Sequence, residues 1–116
     1  MLASVNRIVL VGEVGRNGVE MRYTPSGAGI ASFLLCLTEL GTDGKPHTTM
    51  VPCQVVGRKA EGVSTIPGGT MVAFEGRIDK RRVGERYEML CTGFDLQALS
   101  AVQPAAATVA DDDIPF

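Results

Sequence analysis

Short aliphatic and β-branched runs, each cut off by a glycine or proline turn, constrain this chain most. Fourteen glycines and six prolines are spread through its 116 residues, and the segments between them carry the residue types that suit a pleated, half-buried strand. Arg7 to Val14 holds Ile8, Val9, Leu10 and Val11, with Gly12 and Gly15 closing the run. At Thr24-Pro25-Ser26-Gly27 a turn is expected, because proline presets φ and glycine supplies a positive φ. Gly29 to Leu40 predicts a long strand, Thr42-Asp43-Gly44-Lys45 a hairpin turn, and Thr48 to Val56 the next strand. Pro52 has no N–H for a ladder, which places it at an edge or a bulge. Arg58 to Ile66 is the one helical candidate, and Gly62 with β-branched Val63, Thr65 and Ile66 limits it to a turn or two. Pro67-Gly68-Gly69 ends it. Thr70 to Arg82 and Glu85 to Leu96, on either side of Gly84, are the last strands, with Val72 and Phe74 on one face and Glu75 on the other.

Five strands with a short helix between the third and fourth predict an all-β domain, the OB-fold: a five-stranded Greek-key barrel that closes off most of its edges. A β-sandwich is the alternative. The domain is expected over residues 1–99. From 100 to 110 the composition shifts to Ala, Pro, Thr, Val and Gln, a flexible linker, and 111–116 form an acidic tip, so that the barrel is followed by a disordered C-terminal tail.

Hydrophobic residues make up 45% and charged residues 21%, a balance that supports a folded core. Cys36, Cys53 and Cys91 contain no C-x-x-C pair and sit in apolar runs, which reads as small buried hydrophobes in a reducing compartment. No apolar run approaches a membrane span and no secretion signal is visible, so a cytoplasmic location is expected. One histidine, His47, and unpaired cysteines provide neither a nucleophile–base arrangement nor a metal set; no enzyme activity, cofactor or metal is expected.

The formal net charge of -2 argues against a nucleic-acid partner until its distribution is considered. Three of the thirteen acids are Asp111, Asp112 and Asp113, leaving ten against eleven Lys and Arg in residues 1–110. Any grip on a polyanion must then come from local patches.

Several segments carry a resemblance: Val5-Asn6-Arg7-Ile8-Val9-Leu10-Val11-Gly12, Met21-Arg22-Tyr23-Thr24-Pro25-Ser26-Gly27, Val55-Val56-Gly57-Arg58-Lys59-Ala60-Glu61, Phe74-Glu75-Gly76-Arg77 and the final Asp-Asp-Asp-Ile-Pro-Phe. In this order they resemble the bacterial single-stranded DNA-binding proteins over nearly the whole chain. The resemblance implies an OB-fold, a homotetramer as a rule, and binding of single-stranded DNA without sequence preference. It also implies recruitment of replication, recombination and repair enzymes through the tip. Primosomal replication protein N is a similar relative that lacks the full aromatic set and normally lacks such a tip. A third reading keeps the barrel only as a carrier of the tip.

The chain departs from the family's pattern in its aromatics. Sequence-independent binding of single strands combines a positive groove with stacking rings. By the motif alignment the family's stacking positions fall near Gly41, Met50, Val56 and Val83, none of them aromatic, and the chain has no Trp. Binding is therefore expected to rest on phosphate contacts from Arg7, Arg22, Arg58, Lys59, Arg77, Lys80, Arg81, Arg82 and Arg86, with apolar contacts from Met50, Val56 and Val83 and with Tyr23 or Tyr87 as candidate stacking rings. Lys80-Arg81-Arg82 with Arg86 around Gly84 predicts a projecting basic hairpin, although a charged strand end kept soluble reads the same way. Arg58-Lys59 also reads as a surface pair, and Tyr23 as a ring packed on the barrel.

At the tip, Asp111, Asp112 and Asp113 stand beside Ile114, Pro115 and Phe116. Pro115 limits the conformations lost on docking, Phe116 suits a pocket, and the acids steer toward basic surfaces. This points to a partner-docking segment that could also fold back on the basic patch.

Overall fold

The computed structural model describes residues 3–100. Its elements are β1 (Ile8–Val14), β2 (Glu20–Tyr23), β3 (Gly29–Leu40), β4 (Pro46–Val56), α1 (Ala60–Ser64), β5 (Met71–Val83) and β6 (Arg86–Ser100). Residues 101–110 of the expected linker and the tip at 111–116 lie outside the described residues.

β1 pairs antiparallel with β5, β5 with β6, β6 runs parallel to β4, β4 pairs with β3, and β3 returns to β1 at Glu13↔Cys36 and Val14↔Leu35. Five strands thereby close an OB-fold barrel, with α1 between β4 and β5, as the order of sequence segments predicts. β2 is an addition to the expected five. Its four residues have too little alternation to read as a strand; it forms because the Thr24–Gly27 turn folds it onto β3, pairing Glu20↔Ser32 through Tyr23↔Gly29. In that turn the Thr24 hydroxyl accepts from the Ala28 N–H at 3.0 Å and Gly27 takes φ 93°. The helix covers the middle of its expected span, and its buried Ala60 and Val63 cover part of the barrel beside β3.

Alternate residues of each strand fill the core, among them Val14, Leu35, Val55, Val72 and Phe74. Phe33 meets Phe74 edge to face, centroids 6.2 Å apart at 79°. Register along β5–β6 slips between Glu75 and Gly76, where Phe94 has no partner of its own. The bulge switches the inward set of β6 from Cys91 and Gly93 to Leu96, which pairs with Phe74. Gly93 faces the Phe74 ring, which a Cβ there would meet at 2.6 Å. Pro52 of β4 pairs with Leu34 of β3, and the parallel pairing of β4 with β6 begins only at Cys53, so Pro52 occupies an edge stretch as its missing N–H requires.

Candidate nucleic-acid interface

On β3 and β4 the residues left over from the core form one outer face. Cross-strand pairs Ser32↔Gln54, Leu34↔Pro52 and Cys36↔Met50 lie on it, with Leu34 42% and Met50 52% exposed. The far half of β5–β6 extends beyond the barrel as a hairpin whose two-residue turn, Gly84-Glu85, has Gly84 at φ 63°. This is the projecting basic hairpin expected of residues 80–86. From the hairpin, Arg81 and Leu90 line a recess of about 860 Å³ together with Leu34, Met50, Pro52 and Arg16. A smaller recess adjoins it, lined by Arg22, Ser32, Arg81, Arg82, Val83 and Glu20. Together they make a groove with an apolar floor and a rim on which Arg16, Arg22, Arg81 and Arg82 stand with the acids Glu13 and Glu20.

Strand alternation decides which basic residues reach this groove. On β2, Arg22 pairs with Ile30 and shares the outer face, whereas Tyr23 belongs to the opposite face and its hydroxyl donates to Glu61 of α1 at 3.3 Å. The Glu61 carboxylate, first by its charge and then by that bond, raises the Tyr23 pKa above its ordinary value. On the hairpin, Arg77, Asp79 and Arg81 face the same way as Glu88, Leu90 and Thr92; Lys80 faces the other way, its ammonium 4.7 Å from the Tyr87 ring centre. Arg86, opposite Val83, stands at the turn. Arg7, immediately before β1, is exposed, ion-paired with Glu75 and 5.5 Å from the Phe94 ring centre. Lys59 donates to the Phe94 carbonyl at 3.1 Å and approaches Asp95. Arg58 is exposed and borders neither recess. The structure thus brings Arg22, Arg81 and Arg82 to the smaller recess, Arg82 from the edge of the hairpin, since it alternates with Arg81 onto the Lys80 side and donates to the Gly84 carbonyl at 3.0 Å, and it disperses Arg7, Arg58, Lys59, Lys80, Tyr23 and Tyr87.

Acids temper the groove. Arg81 pairs with Glu88 at 3.5 Å and Arg77 with Asp79 at 3.3 Å. Asp79 also accepts from the Thr92 hydroxyl at 2.9 Å, and Thr92 in turn accepts from the Gln54 amide at 3.1 Å, linking three strands. The Lys80 N–H on its carboxylate, then Thr92, with Arg77 and Lys80 adding charge, holds Asp79 below the usual carboxylate range.

Two of the positions where the resemblance would put stacking aromatics are here: Met50 on the floor and Val83 on the rim. Val56 is exposed on the same face of β4, and Gly41 lies in the β3–β4 turn beside His47, which pairs with Asp43 at 3.1 Å. Sequence reading missed Arg16, Leu34 and Pro52 as groove residues. The signal for Arg16 was its place between Gly15 and Gly18; for the other two only the register of β3 on β4 reveals the face. Cys53 and Cys91 are buried as small hydrophobes, but Cys36 is half-buried on the groove floor opposite Met50. Among the described residues there is no cluster of metal-ligating side chains, and no helix long and apolar enough to cross a membrane.

Comparison with known proteins matches the sequence to one family. The family model described as "Single-strand binding protein family" matches residues 5–88. The chain is 34% identical over 80 residues to "Single-stranded DNA-binding protein A" of Bacillus subtilis, covering 66% of this chain and 46% of that protein. It is equally 34% identical over 80 residues to "Single-stranded DNA-binding protein 2" of Listeria innocua, covering 66% and 50%. "Single-stranded DNA-binding protein 1" of Staphylococcus aureus is 32% identical, with 66% and 47% covered. The matched part is thus about half the length of these relatives. The match takes in β1 to β5 and the start of β6, the strands that build the groove, and on it the chain belongs to the single-strand binding protein family.

Proposed function

We propose that the barrel binds single-stranded DNA without sequence preference, laying the strand along the β3–β4 face under the β5–β6 hairpin. The observation that carries this reading is the convergence of Arg22, Arg81 and Arg82 on one rim of a groove with an apolar floor. Phosphates track the rim and bases turn to the floor. Because no aromatic lines either recess except the buried Phe33, phosphate neutralisation supplies most of the affinity, and binding falls steeply with salt.

In this reading the protein acts in the cytoplasm, coating single strands during replication, recombination and repair, and residues 111–116 recruit enzymes of those processes. The support for recruitment is compositional: three acids beside Ile114, Pro115 and Phe116. Self-association, with a tetramer as the expected state, is supported by β1. Its outer face exposes Val9 (66%) and Val11 (54%), and the edge toward β3 is paired only at Glu13 and Val14. A role like that of primosomal replication protein N is the second reading, favoured by the non-aromatic groove.

Fluorescence anisotropy with labelled oligo-dT tests the proposal, with duplex DNA as competitor. Tight binding at low salt that weakens steeply with added salt and resists duplex competition supports it. Salt-resistant binding would point to a stacking surface elsewhere, and no binding at low salt sinks it.

A further inference from the structure

Arg16 stands apart from the other cations of the groove. It borders only the larger recess, which Arg81 shares and whose floor is Leu34, Met50 and Pro52, and not the smaller one of Arg22 and Arg82. It is exposed and forms no ion pair among the described residues, unlike Arg77 and Arg81. The loop that carries it is held in place: the Gly15 N–H donates to the Leu34 carbonyl at 2.7 Å, and the Gly18 N–H donates to the Gly15 carbonyl at 2.9 Å. Behind it, Gly68 packs so closely that a Cβ there would stand 2.6 Å from the carbonyl oxygens of both Gly15 and Arg16. The Gly69 N–H closes the support by donating to the Val14 carbonyl at 2.8 Å. A planar guanidinium is thus carried by a braced loop on the recess that holds the apolar Leu34, Met50 and Pro52, with Glu13 and Glu20 on the same lining.

A single strand has one charged side and one side of bases. If its phosphates follow the Arg22–Arg81–Arg82 rim, as the proposed function requires, its bases lie over Leu34, Met50 and Pro52. A guanidinium plane is a stacking surface for bases, and its rigid fork and weak hydration make it a better one than an ammonium. We propose that Arg16 stacks on one base over the Met50–Pro52 floor, supplying the planar contact that the missing aromatic rings would otherwise make. This inference rests on the proposed strand path and adds a base-contacting residue to it.

The test uses the full chain and two strands of equal length, oligo-dT and an abasic phosphodiester strand, with the variants Arg16→Lys and Arg16→Gln. The wild-type chain is expected to prefer oligo-dT. Arg16→Lys keeps the charge and loses the plane; it should weaken oligo-dT binding about fivefold or more while binding the abasic strand as the wild type does. Arg16→Gln should show the same loss on oligo-dT and a small further loss on both strands. Equal losses on both strands, or an Arg16→Lys variant that matches the wild type on oligo-dT, would show a phosphate contact and overturn the proposal. A wild-type chain that binds neither strand overturns the strand path itself, and this inference with it. Unchanged circular dichroism establishes that the variants are folded, as an exposed loop side chain should allow.

Discussion

Arg81 and Glu88 face each other across the β5–β6 hairpin, their side chains 3.5 Å apart, so the arginine that borders both recesses of the groove is already partnered. The pair is half-exposed and contributes little to stability, but it competes with a phosphate for the same guanidinium. Glu88→Gln should therefore tighten oligo-dT binding about two- to fivefold at low salt, with the gain fading as salt screens the groove. Titrations at two salt concentrations check this; equal affinities for variant and wild type at low salt would mean that Arg81 does not meet the strand.

Arg22 and Arg58 separate groove from surface. Arg22 lines the recess beside Arg81 and Arg82, whereas Arg58 borders neither recess. Arg22→Gln is expected to lower the slope of log K against log salt by about one, and Arg58→Gln to leave it unchanged. The reverse ranking would move the strand to the α1 side of the barrel.

The thiol of Cys53 faces Cys91 across the parallel β4–β6 pair and is pushed up to about 12, by burial first and by its neighbour second. Burial also raises the Cys91 thiol. In the native protein at pH 8, a thiol reagent should label Cys36 readily and Cys53 and Cys91 only on unfolding. The pH effect has a definite sign. A thiol whose folded pKa is raised favours the folded state while it stays protonated, so its contribution is complete below about pH 9 and declines as pH rises toward 12. Chemical denaturation at pH 8 and pH 10.5 should show the lower stability at the higher pH.

Asp79 works in the opposite direction. Its depressed pKa means that the ionised form is favoured in the fold, so its contribution is present above the ordinary carboxylate range and is lost as pH falls below about 4. Asp79→Asn should lower the melting temperature at pH 7, and the gap to wild type should close toward pH 3. Removing the hydroxyl that reaches Asp79, by Thr92→Val, should cost about 0.5–1.5 kcal/mol. A gap that stays constant with pH would assign the loss to packing.

Gly76 tests the close approach of β5 to β6. A Cβ there would collide with the Thr92 carbonyl oxygen and lie 2.8 Å from the Gly93 Cα. Backbone cannot move aside as a flexible side chain can, so Gly76→Ala should destabilise the barrel by about 1–3 kcal/mol or more. Urea denaturation measures it, and a neutral result would show that the bulge beside Phe94 absorbs the methyl group.

Local chemistry made the barrel legible. The runs around Ile8, Phe33, Cys53, Phe74 and Cys91 alternate or are continuously apolar, and Gly27, Gly44 and Gly84 mark turns that need positive φ, so the five barrel strands and the helix position followed from the sequence itself, while the short β2 did not. The basic character of the hairpin was equally readable from Lys80, Arg81, Arg82 and Arg86. Only the tertiary structure decided that Arg22 faces the groove while Tyr23 faces α1, that Arg81 reaches both recesses while Lys80 lies across Tyr87, and that Arg16 lines the same recess as Leu34, Met50 and Pro52. Neighbouring strand residues point to opposite faces, so a side chain's destination depends on register, on bulges such as that at Phe94, and on barrel closure. Those are set by contacts between strands distant in the chain, and no local window of sequence contains them.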